Sequence, residues 1–414
     1  MLLNILYSSV REMQARLAIS SSDVLAKPKL RKHHFAAFKM VLRREATSSG
    51  VILGAIAACD KLSVFCQVIA FLLLIFGYRQ FLLTERVNFV TMYRFAQTKL
   101  QRASFHRQKA MKMSNAWTPA EIPPQTGRRI IVTGGNSGIG WHTALELARA
   151  GAQVTIGARS KSKGEDAVKR IRDIIPTATV RSGVLDLSNP VSVQAFADSQ
   201  LEYGHPIDML INNAGVMGLP RREVSVDGHE LQFATNVFGP YRLTGLLLPA
   251  LLRANRPRVV TVASGTHKMF KPGRITDFEA KDSYVPMRVY AKTKLANVLF
   301  ARELQRRAGD RLLSTISHPG GARTNLFAAT TLSTKIAGIL TYPLLQSSEK
   351  GAWPSLMAAT LENARPGGYY GPGGFMELRG NPVEAKTAPY ADDPSAWRAL
   401  FSDLERITGV TYAI

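Results

Sequence analysis

Hydrophobic and polar positions change period repeatedly along the chain from Gly127 onward. Short β-branched runs predict strands, and the longer segments of helix formers between them predict helices. The predicted strands are 129–132, 154–157, 180–185, 207–211, 258–262, 312–317 and 367–371. The predicted helices are 141–150, 164–175, 191–201, 228–252, 287–308, 349–361 and 395–407. This alternation predicts an α/β fold of three layers, in which a doubly wound parallel sheet of about seven strands lies between helices.

The first 112 residues follow a different pattern. They are basic and poor in acids, and they contain the uncharged apolar run 62–78. This run is at the short end of the about 17–25 residues that span a bilayer, and we favour a single membrane anchor. A helix packed on the main domain is the alternative.

A third interpretation concerns the start of the natural protein. Met113 opens a short polar lead into the first predicted strand, so residues 1–112 could be an extension without function. The expected organisation is a basic N-terminal extension, 1–112, and one domain, 113–414. We expect the domain to face the cytoplasm, either soluble or tethered to a membrane by one N-terminal helix.

The formal net charge of +23 narrows the choice of partners. No zinc-ligand spacing, RNA-binding aromatic signature or helix-turn-helix pattern accompanies this charge in the sequence. An anionic cofactor or a membrane surface explains it better, so we expect neither nucleic acid nor a metal ion as a partner. Both cysteines, Cys59 and Cys66, precede the predicted domain, which fits a reducing compartment.

A glycine-rich turn, Thr133-Gly-Gly-Asn-Ser-Gly-Ile-Gly140, joins the first predicted strand to the first predicted helix. Gly134 allows a tight turn, Gly138 lets the backbone approach a pyrophosphate, and Gly140 lets the helix pack closely on the strand. The first N–H groups of the helix and its dipole then face the anion, as in a Rossmann-type fold. The predicted cofactor-binding residues of this turn are Gly134, Asn136, Ser137, Gly138, Ile139 and Gly140.

The ends of the next predicted strands carry further candidate cofactor contacts. Arg159 ends the second strand, where an acid would accept the ribose 2′-hydroxyl of NAD and an arginine suits a 2′-phosphate. We therefore predict NADP(H) rather than NAD(H). Asp186, followed by Leu187, closes the third strand and can accept a hydrogen bond from the adenine amino group; a carboxylate that only caps a loop is the alternative. Asn213-Ala214-Gly215 follows the fourth strand, where small residues let the cofactor lie against the backbone, although alone it could be an ordinary turn.

Four polar residues are candidates for the chemistry. Tyr290 and Lys294 are four residues apart on a predicted helix and share a face. An ammonium beside the phenol, with a positive nicotinamide, favours the phenolate and brings the pKa of Tyr290 toward the working range. Ser264 ends the fifth strand, where its hydroxyl could bind a substrate oxygen. Asn236 could bend the long helix and hold a water on a proton path to Lys294; a satisfied core amide is the alternative.

Taken together and in this order, the motifs resemble the short-chain dehydrogenase/reductase family over residues 113–414. Three segments, Ser264-Gly-Thr-His267, Lys294-Leu-Ala-Asn-Val-Leu-Phe300 and His318-Pro-Gly320, are similar to its retinol-dehydrogenase-like branch. The resemblance implies four catalytic roles: Tyr290 as acid/base, Ser264 as substrate orienter, Lys294 as cofactor holder and Asn236 as relay.

The resemblance also assigns residues after the sixth predicted strand. It implies that Pro319 and Gly320 contact the cofactor, and Thr324 matches the family threonine that contacts the carboxamide. Between them, Gly321-Ala322-Arg323 departs from the family's single apolar filler.

The function implied is an NADP(H)-dependent oxidoreductase that interconverts a carbonyl and an alcohol on a small molecule. Segment 326–347 is apolar without clear alternation and should cover the substrate, which indicates a fairly apolar ligand. A dinucleotide-binding sensor or scaffold with little turnover is the alternative. Family members often pair through two long helices, here 228–252 and 287–308, so a homodimer is an expectation.

Overall fold

Eight strands form one sheet in this computed structural model, which describes residues 117–269, 275, 277–321 and 345–414. The strands are β1 (Arg129–Thr133), β2 (Gln153–Ala158), β3 (Val180–Val184), β4 (Met209–Asn212), β5 (Arg258–Val262), β6 (Leu313–Ser317), β7 (Tyr369–Pro372) and β8 (Pro382–Glu384). Their order is β3-β2-β1-β4-β5-β6-β7-β8. The first seven pair in parallel, as predicted.

The structure adds an eighth strand to the predicted parallel sheet of about seven strands. β8 pairs antiparallel with β7 at the edge of the sheet. It is three residues long and begins with Pro382, which has no N–H for the ladder and is therefore tolerated only at such an edge. A proline-led run of this length carries no strand pattern in the sequence.

Seven long helices occur among the described residues. They are α1 (Gly138–Arg149), α2 (Lys161–Ile174), α3 (Pro190–Leu201), α4 (Leu231–Phe233, Ala234–Phe238 and Gly239–Leu251), α5 (Pro286–Ala308), α6 (Ser348–Thr360) and α7 (Pro394–Thr408). Helices α1, α2 and α6 bury their apolar residues on one face of the sheet, and α3, α4, α5 and α7 bury theirs on the other. Ile130, Ile131 and Val132 of β1 are fully buried between these layers, which explains the continuous β-branched run.

The fourth helix differs from the regular helix predicted over 228–252. Helix α4 begins with the single turn Leu231–Phe233, passes through the π-helical segment Ala234–Phe238 and continues over Gly239–Leu251. A π-turn inserts an extra residue into the helical ladder, and such turns are frequent at functional sites. The irregularity centres on Asn236, the residue predicted to bend this helix.

Helix α7 covers the outside of the two long helices. Its Phe401 is fully buried, with its ring centre 5.1 Å from that of Tyr241 in α4 and 6.1 Å from that of Phe300 in α5. The guanidinium of Arg307 lies 4.0 Å above the Phe401 ring. The chain's own C-terminal helix therefore occupies apolar surface of the helices through which a homodimer was expected, and that homodimer stays a prediction.

Several predictions fall outside the described residues. These are the N-terminal extension with the possible anchor 62–78, Thr324, and most of the predicted substrate cover, 326–347. In the part of the chain that is described, none of the helices combines the length and apolarity needed to cross a bilayer. The division into 1–112 and 113–414 stays a prediction.

Candidate active site

The glycine-rich turn between β1 and α1 excludes side chains through its backbone angles and through close contacts. Gly134 has a φ of +66° and Gly138 a φ of +56°, which L-residues rarely adopt. A Cβ on Gly140 would lie 2.4 Å from the Gly134 carbonyl oxygen and 2.4 Å from Nδ2 of Asn213. The turn is therefore closed by contacts that only glycine permits, with α1 beginning at Gly138.

Asn213 and Thr133 tie the ends of β1 and β4 together behind this turn. Nδ2 of Asn213 donates to the Thr133 carbonyl oxygen at 2.9 Å, while Oγ1 of Thr133 accepts from the amides of Asn213 and Ala214, each at 3.0 Å. The Cα of Ala214 lies 2.9 Å from where a Cβ on Gly134 would be. The small residues after β4 thus pack directly against the turn.

A cleft of about 500 Å³ lies beside the turn and is lined by Asn136, Ser137 and residues of α2. Arg170 of α2 donates from Nη2 to the Asn136 carbonyl oxygen at 2.7 Å and stacks on Trp141, 4.8 Å from the ring. The sequence interpretation missed Arg170, because a helix arginine gives no signal of a loop carbonyl 34 positions away. Arg159 is exposed just beyond β2.

The other predicted residues at the cofactor end are held in place locally. Oδ1 of Asp186 accepts from the amide and hydroxyl of Ser188 at 3.0 and 2.7 Å, so this carboxylate caps its own turn. Leu187 is buried. The Ile139 carbonyl oxygen, in the first turn of α1, accepts from the Thr143 hydroxyl at 2.9 Å.

Asn236 holds the backbone beyond β4 through both ends of its side-chain amide. Its Oδ1 accepts from the Val216 amide at 2.8 Å, and its Nδ2 donates to the Val216 carbonyl oxygen at 2.9 Å and to Oγ1 of Thr293 at 3.1 Å. A Cβ on Gly215 would lie 3.0 Å from Asn236 Oδ1 and 3.6 Å from Lys294 Nζ. Asn236 and Lys294 thus meet around Gly215.

Ser264, Tyr290 and Lys294 come together beyond the end of β5. The Ser264 hydroxyl lies near enough to the Tyr290 phenol to affect its pKa. The Nζ of Lys294 donates to the Val262 carbonyl oxygen at 2.8 Å and lies 5.7 Å from the centre of the Tyr290 ring. Tyr290 and Lys294 are both buried on one face of α5, as their spacing predicted.

Burial dominates the acid–base properties of this pair. It raises the pKa of Tyr290 to about 12, and the nearby Ser264 hydroxyl opposes this rise. It also lowers the pKa of Lys294 to about 8. The predicted lowering of the Tyr290 pKa is therefore not produced by the protein alone, because the lost hydration of the phenolate outweighs an ammonium that is bound to Val262.

Pro319 and Gly320 form a turn beyond β6 that His318 fixes. Gly320 has a φ of +68° and donates its N–H to Nδ1 of His318 at 3.2 Å. The Nε2 of His318 lies 3.1 Å from Oε2 of Glu377, and this close contact is the main cause that lowers the pKa of Glu377 to about 2. A Cβ on Gly371 would lie 2.2 Å from the His318 ring, so β7 admits the histidine only beside a glycine.

Two histidines thus contact this site, although the sequence analysis used them only as part of the motifs of the retinol-dehydrogenase-like branch. His267 binds the Ser264 carbonyl oxygen, and His318 binds the Pro319–Gly320 turn. Both rings pack on Tyr369, with centres 5.3 Å away in each case. Their position next to Ser264 and Pro319 in the sequence was the available signal.

Comparisons with known proteins agree on one family. The sequence pattern described as short chain dehydrogenase matches residues 128–334. Polyprenol dehydrogenase of Mus musculus is 36% identical over 307 residues, which are 72% of this chain and 89% of that protein. Retinol dehydrogenase 13 of Homo sapiens is 36% identical over 302 residues, 70% of this chain and 86% of that protein.

A solved structure gives the same answer. An uncharacterised protein from Mycobacterium Paratuberculosis superposes with a TM-score of 0.60 at 34% sequence identity, over 72% of this chain and 100% of that one. The fold, the motifs and these matches together show that the chain is an oxidoreductase of carbonyls and alcohols that belongs to the short-chain dehydrogenase family, in its retinol-dehydrogenase-like branch.

Proposed function

We propose that the protein is an NADP(H)-dependent oxidoreductase that interconverts a carbonyl and an alcohol on an apolar substrate, with Tyr290 as the acid/base. The observation that carries this is the placement of the Ser264 hydroxyl near the Tyr290 phenol, beside the buried Lys294. Two hydroxyls that lie near each other can both turn to a single substrate oxygen. Tyr290 and Lys294 lie on the rigid helix α5 and Ser264 follows shortly after β5, so the fold holds their geometry.

In the direction of reduction, Tyr290 gives its hydroxyl proton to the carbonyl oxygen of the substrate. A pKa of about 12 keeps that proton on the phenol in the protein before reaction. The phenolate that forms is stabilised by the Lys294 ammonium, which stays mostly protonated at neutral pH with a pKa of about 8. Ser264 hydrogen-bonds the same substrate oxygen and stabilises its developing charge.

The residues around the glycine-rich turn fit a dinucleotide. A Cβ has no space at Gly134 or Gly140, and the first N–H groups of α1 open at Gly138, which suits a backbone that approaches a pyrophosphate. Ala214 and Gly215 present a surface without large side chains. When bound, NADP(H) supplies the hydride that the reaction moves. We propose that Pro319 and Gly320 complete the site at the nicotinamide end.

The preference for NADP(H) rests on Arg159. This side chain is exposed beyond β2, where Lys161 also opens α2, and no acid precedes Glu165 in this stretch. A titration of the protein with NADPH and NADH, followed by fluorescence, tests the preference. Arg159→Asp should abolish or reverse it, and Arg398→Asp, at an exposed arginine on α7, should leave it unchanged. Equal binding of both cofactors by the unaltered protein would contradict the proposal.

The apolar substrate is supported by the residue pattern and by the relatives. Segment 326–347 is rich in leucine and alanine. Two relatives are named for retinol and polyprenol, which are isoprenoid alcohols. Reduction of retinal and of long-chain aliphatic aldehydes with NADPH is the direct screen.

Substitution Tyr290→Phe separates an enzyme from a dinucleotide-binding sensor or scaffold. It removes the proton donor and should lower the rate by about a hundredfold or more while NADPH still binds. An unchanged rate would remove Tyr290 from its proposed role. The intact set of Ser264, Tyr290 and Lys294 favours the enzyme.

Membrane association through 62–78 and pairing of two copies stay predictions. Fractionation of cells that express the full chain should place it with membranes, and Leu73→Arg, in the middle of the apolar run, should release it. Analytical ultracentrifugation of the same chain reports its assembly. Because α7 covers α4 and α5, a dimer through those helices would require α7 to be displaced or to form part of the contact.

A further inference from the structure

His267 is a fully buried histidine that the proposed reaction does not use. It lies in the 3-10 turn Gly265–Met269 directly after Ser264. Its Nδ1 lies 2.7 Å from the Ser264 carbonyl oxygen, and its Nε2 lies 3.2 Å from the Ala388 amide nitrogen. The ring therefore bridges the serine turn and a segment 121 positions further along the chain.

The two partners determine which nitrogen of His267 carries the proton. A backbone N–H can only donate, so Nε2 accepts from Ala388. A carbonyl oxygen can only accept, so Nδ1–H donates to Ser264. Burial lowers the pKa of His267 to about 4, which keeps the ring neutral at physiological pH and able to serve both partners.

Further contacts hold the same turn from the C-terminal side. The Tyr390 hydroxyl donates to the His267 carbonyl oxygen. The ring of Tyr369, in β7, meets the His267 ring edge-on, with the two planes at 68°. His267 is thus fixed in position by residues that follow the catalytic helix α5.

We propose that His267 is a positioning residue of the reaction. Its Nδ1–H holds the Ser264 carbonyl and so fixes the direction in which the Ser264 hydroxyl meets Tyr290 and the substrate oxygen. The inference deepens the proposed function and rests on it.

The serine side chain is coupled to the turn that His267 closes. Oγ of Ser264 accepts from the Thr266 amide at 3.3 Å, and the His267 amide donates to the Ser264 carbonyl oxygen at 3.2 Å. Loss of the ring donor would leave this carbonyl with the weaker backbone bond and allow the turn to rotate. A misplacement of about 1 Å can cost about a hundredfold in rate.

The test is a double-substitution cycle on the full chain, with NADPH-dependent reduction of retinal as the assay. His267→Phe keeps an aromatic ring but has neither donor nor acceptor, and it should lower kcat by about ten- to a hundredfold. Its Kd for NADPH should stay within about twofold, because the His267 ring hydrogen-bonds the Ser264 and Ala388 backbone rather than the glycine-rich turn. His267→Asn keeps a short N–H donor and should recover part of the rate.

The decisive comparison repeats these substitutions in the Ser264→Ala protein. If His267 acts through Ser264, His267→Phe should change the remaining rate by less than about threefold in that background. The same loss of kcat in both backgrounds, or an unchanged kcat in the single variant, would overturn the proposal. His205→Phe, at an exposed histidine, is the matched control.

Two further variants distinguish a failure of this inference from a failure of folding or of the proposed function. Should His267→Phe fail to fold, His267→Asn carries the same cycle, with a smaller loss of kcat that again disappears without Ser264. Tyr290→Phe tests the proposed function itself. Activity retained in Tyr290→Phe would overturn the proposed function and this inference with it, whereas activity lost there but unaffected by His267→Asn and His267→Phe would overturn only the inference.

Discussion

The region proposed to bind the cofactor, residues 117–215 (the cofactor half), and the region that holds Ser264, Tyr290 and Lys294, residues 258–414 (the catalytic half), position their candidate functional groups in different ways. In the cofactor half, Gly140 packs against Gly134 within one turn, and main-chain groups form most of the predicted site. In the catalytic half, His267 binds Ala388 and Lys268 binds Glu377 across 121 and 109 positions of the chain. Glycine geometry builds the first site, and distant side chains build the second.

Backbone strain follows the same division. Among described residues of the cofactor half, positive φ angles occur at glycines such as Gly134 and Gly138. In the catalytic half, Ala280, Met376 and Glu377 also have positive φ angles. Left-handed backbone at residues with a Cβ costs about 1–2 kcal/mol each and persists only where the surroundings enforce it. Glu377 is one such residue, and its carboxylate binds both Lys268 and His318.

The largest effect is expected when the close glycine contact of the cofactor half is disrupted. In Gly140→Ala the new Cβ would lie 2.4 Å from a backbone oxygen of the turn, so the turn must move. We expect a loss of more than about 3 kcal/mol in NADPH binding, which is more than about a hundredfold in Kd. A fluorescence titration measures it.

Gly135→Ala is the matched control in the same turn. Its Cβ would lie 3.0 Å from Cγ2 of Ile156 and 3.3 Å from the Val132 carbonyl oxygen, so its neighbours must shift less than those of a Cβ on Gly140. We expect less than about a tenfold change in Kd. Equal losses in the two variants would show that the turn tolerates no added methyl anywhere and that the contact at Gly140 is not special.

The next largest effect concerns the pH dependence of stability, which should depend on the buried His267 of the catalytic half. Burial is the main cause that lowers the pKa of His267 to about 4, with Lys268, His318 and Glu377 as the neighbouring charged or titratable groups. As pH falls below the ordinary value of about 6.5, the unfolded chain binds the proton first and the folded state loses stability. The loss should reach about 3 kcal/mol near pH 4 and stop growing below it.

Urea unfolding at pH 7 and pH 4.5 measures this loss. His267→Asn has no ring to protonate, so its stability should fall less over the same interval, and the difference between the two proteins isolates the histidine. Parallel pH profiles for the two proteins would contradict the prediction.

A smaller effect of the same sign belongs to Glu377. Its pKa is lowered to about 2, mainly by His318 and also by Lys268, so its stabilising contribution is complete above about 4.5 and lost as pH falls toward 2. Since the side chain is partly exposed, we expect Glu377→Gln to cost about 2 kcal/mol at pH 7. The cost, measured by urea unfolding, should shrink below pH 4.5. A cost that does not change with pH would assign the loss to packing.

The sequence predicted most of the first seven strands because they are short runs of β-branched or other apolar residues bounded by turn residues, and it predicted β7 from two tyrosines between glycines. The glycine-rich turn and the pair Tyr290 and Lys294 could also be predicted from the sequence. Their spacing alone places the residues at one turn or on one helix face. The structure brings Ser264, Tyr290 and Lys294 together as the motifs indicated.

Other features depend on contacts that local patterns do not carry. The π-turn at Asn236 reflects hydrogen bonds to Val216 and Thr293, 20 and 57 positions away. The contacts of His267 and His318 depend on the positions of Ala388 and Glu377, which are distant in the sequence. The raised pKa of Tyr290 could not be predicted from the sequence, because it results from the burial of the side chain in the fold.

The smallest expected effect sharpens the contrast in backbone strain between the halves. Met376 has a φ of +51° and is 74% exposed, so its side chain contributes little packing and its Cβ bears the left-handed penalty. Met376→Gly removes that penalty at the cost of a more flexible unfolded chain, and the net gain in stability should be about 0.5 kcal/mol. Met376→Ala retains the Cβ and should gain nothing. Urea unfolding of both variants compares them; a gain in the alanine variant equal to that in glycine would mean that the exposed side chain, rather than the backbone, is the source of the strain.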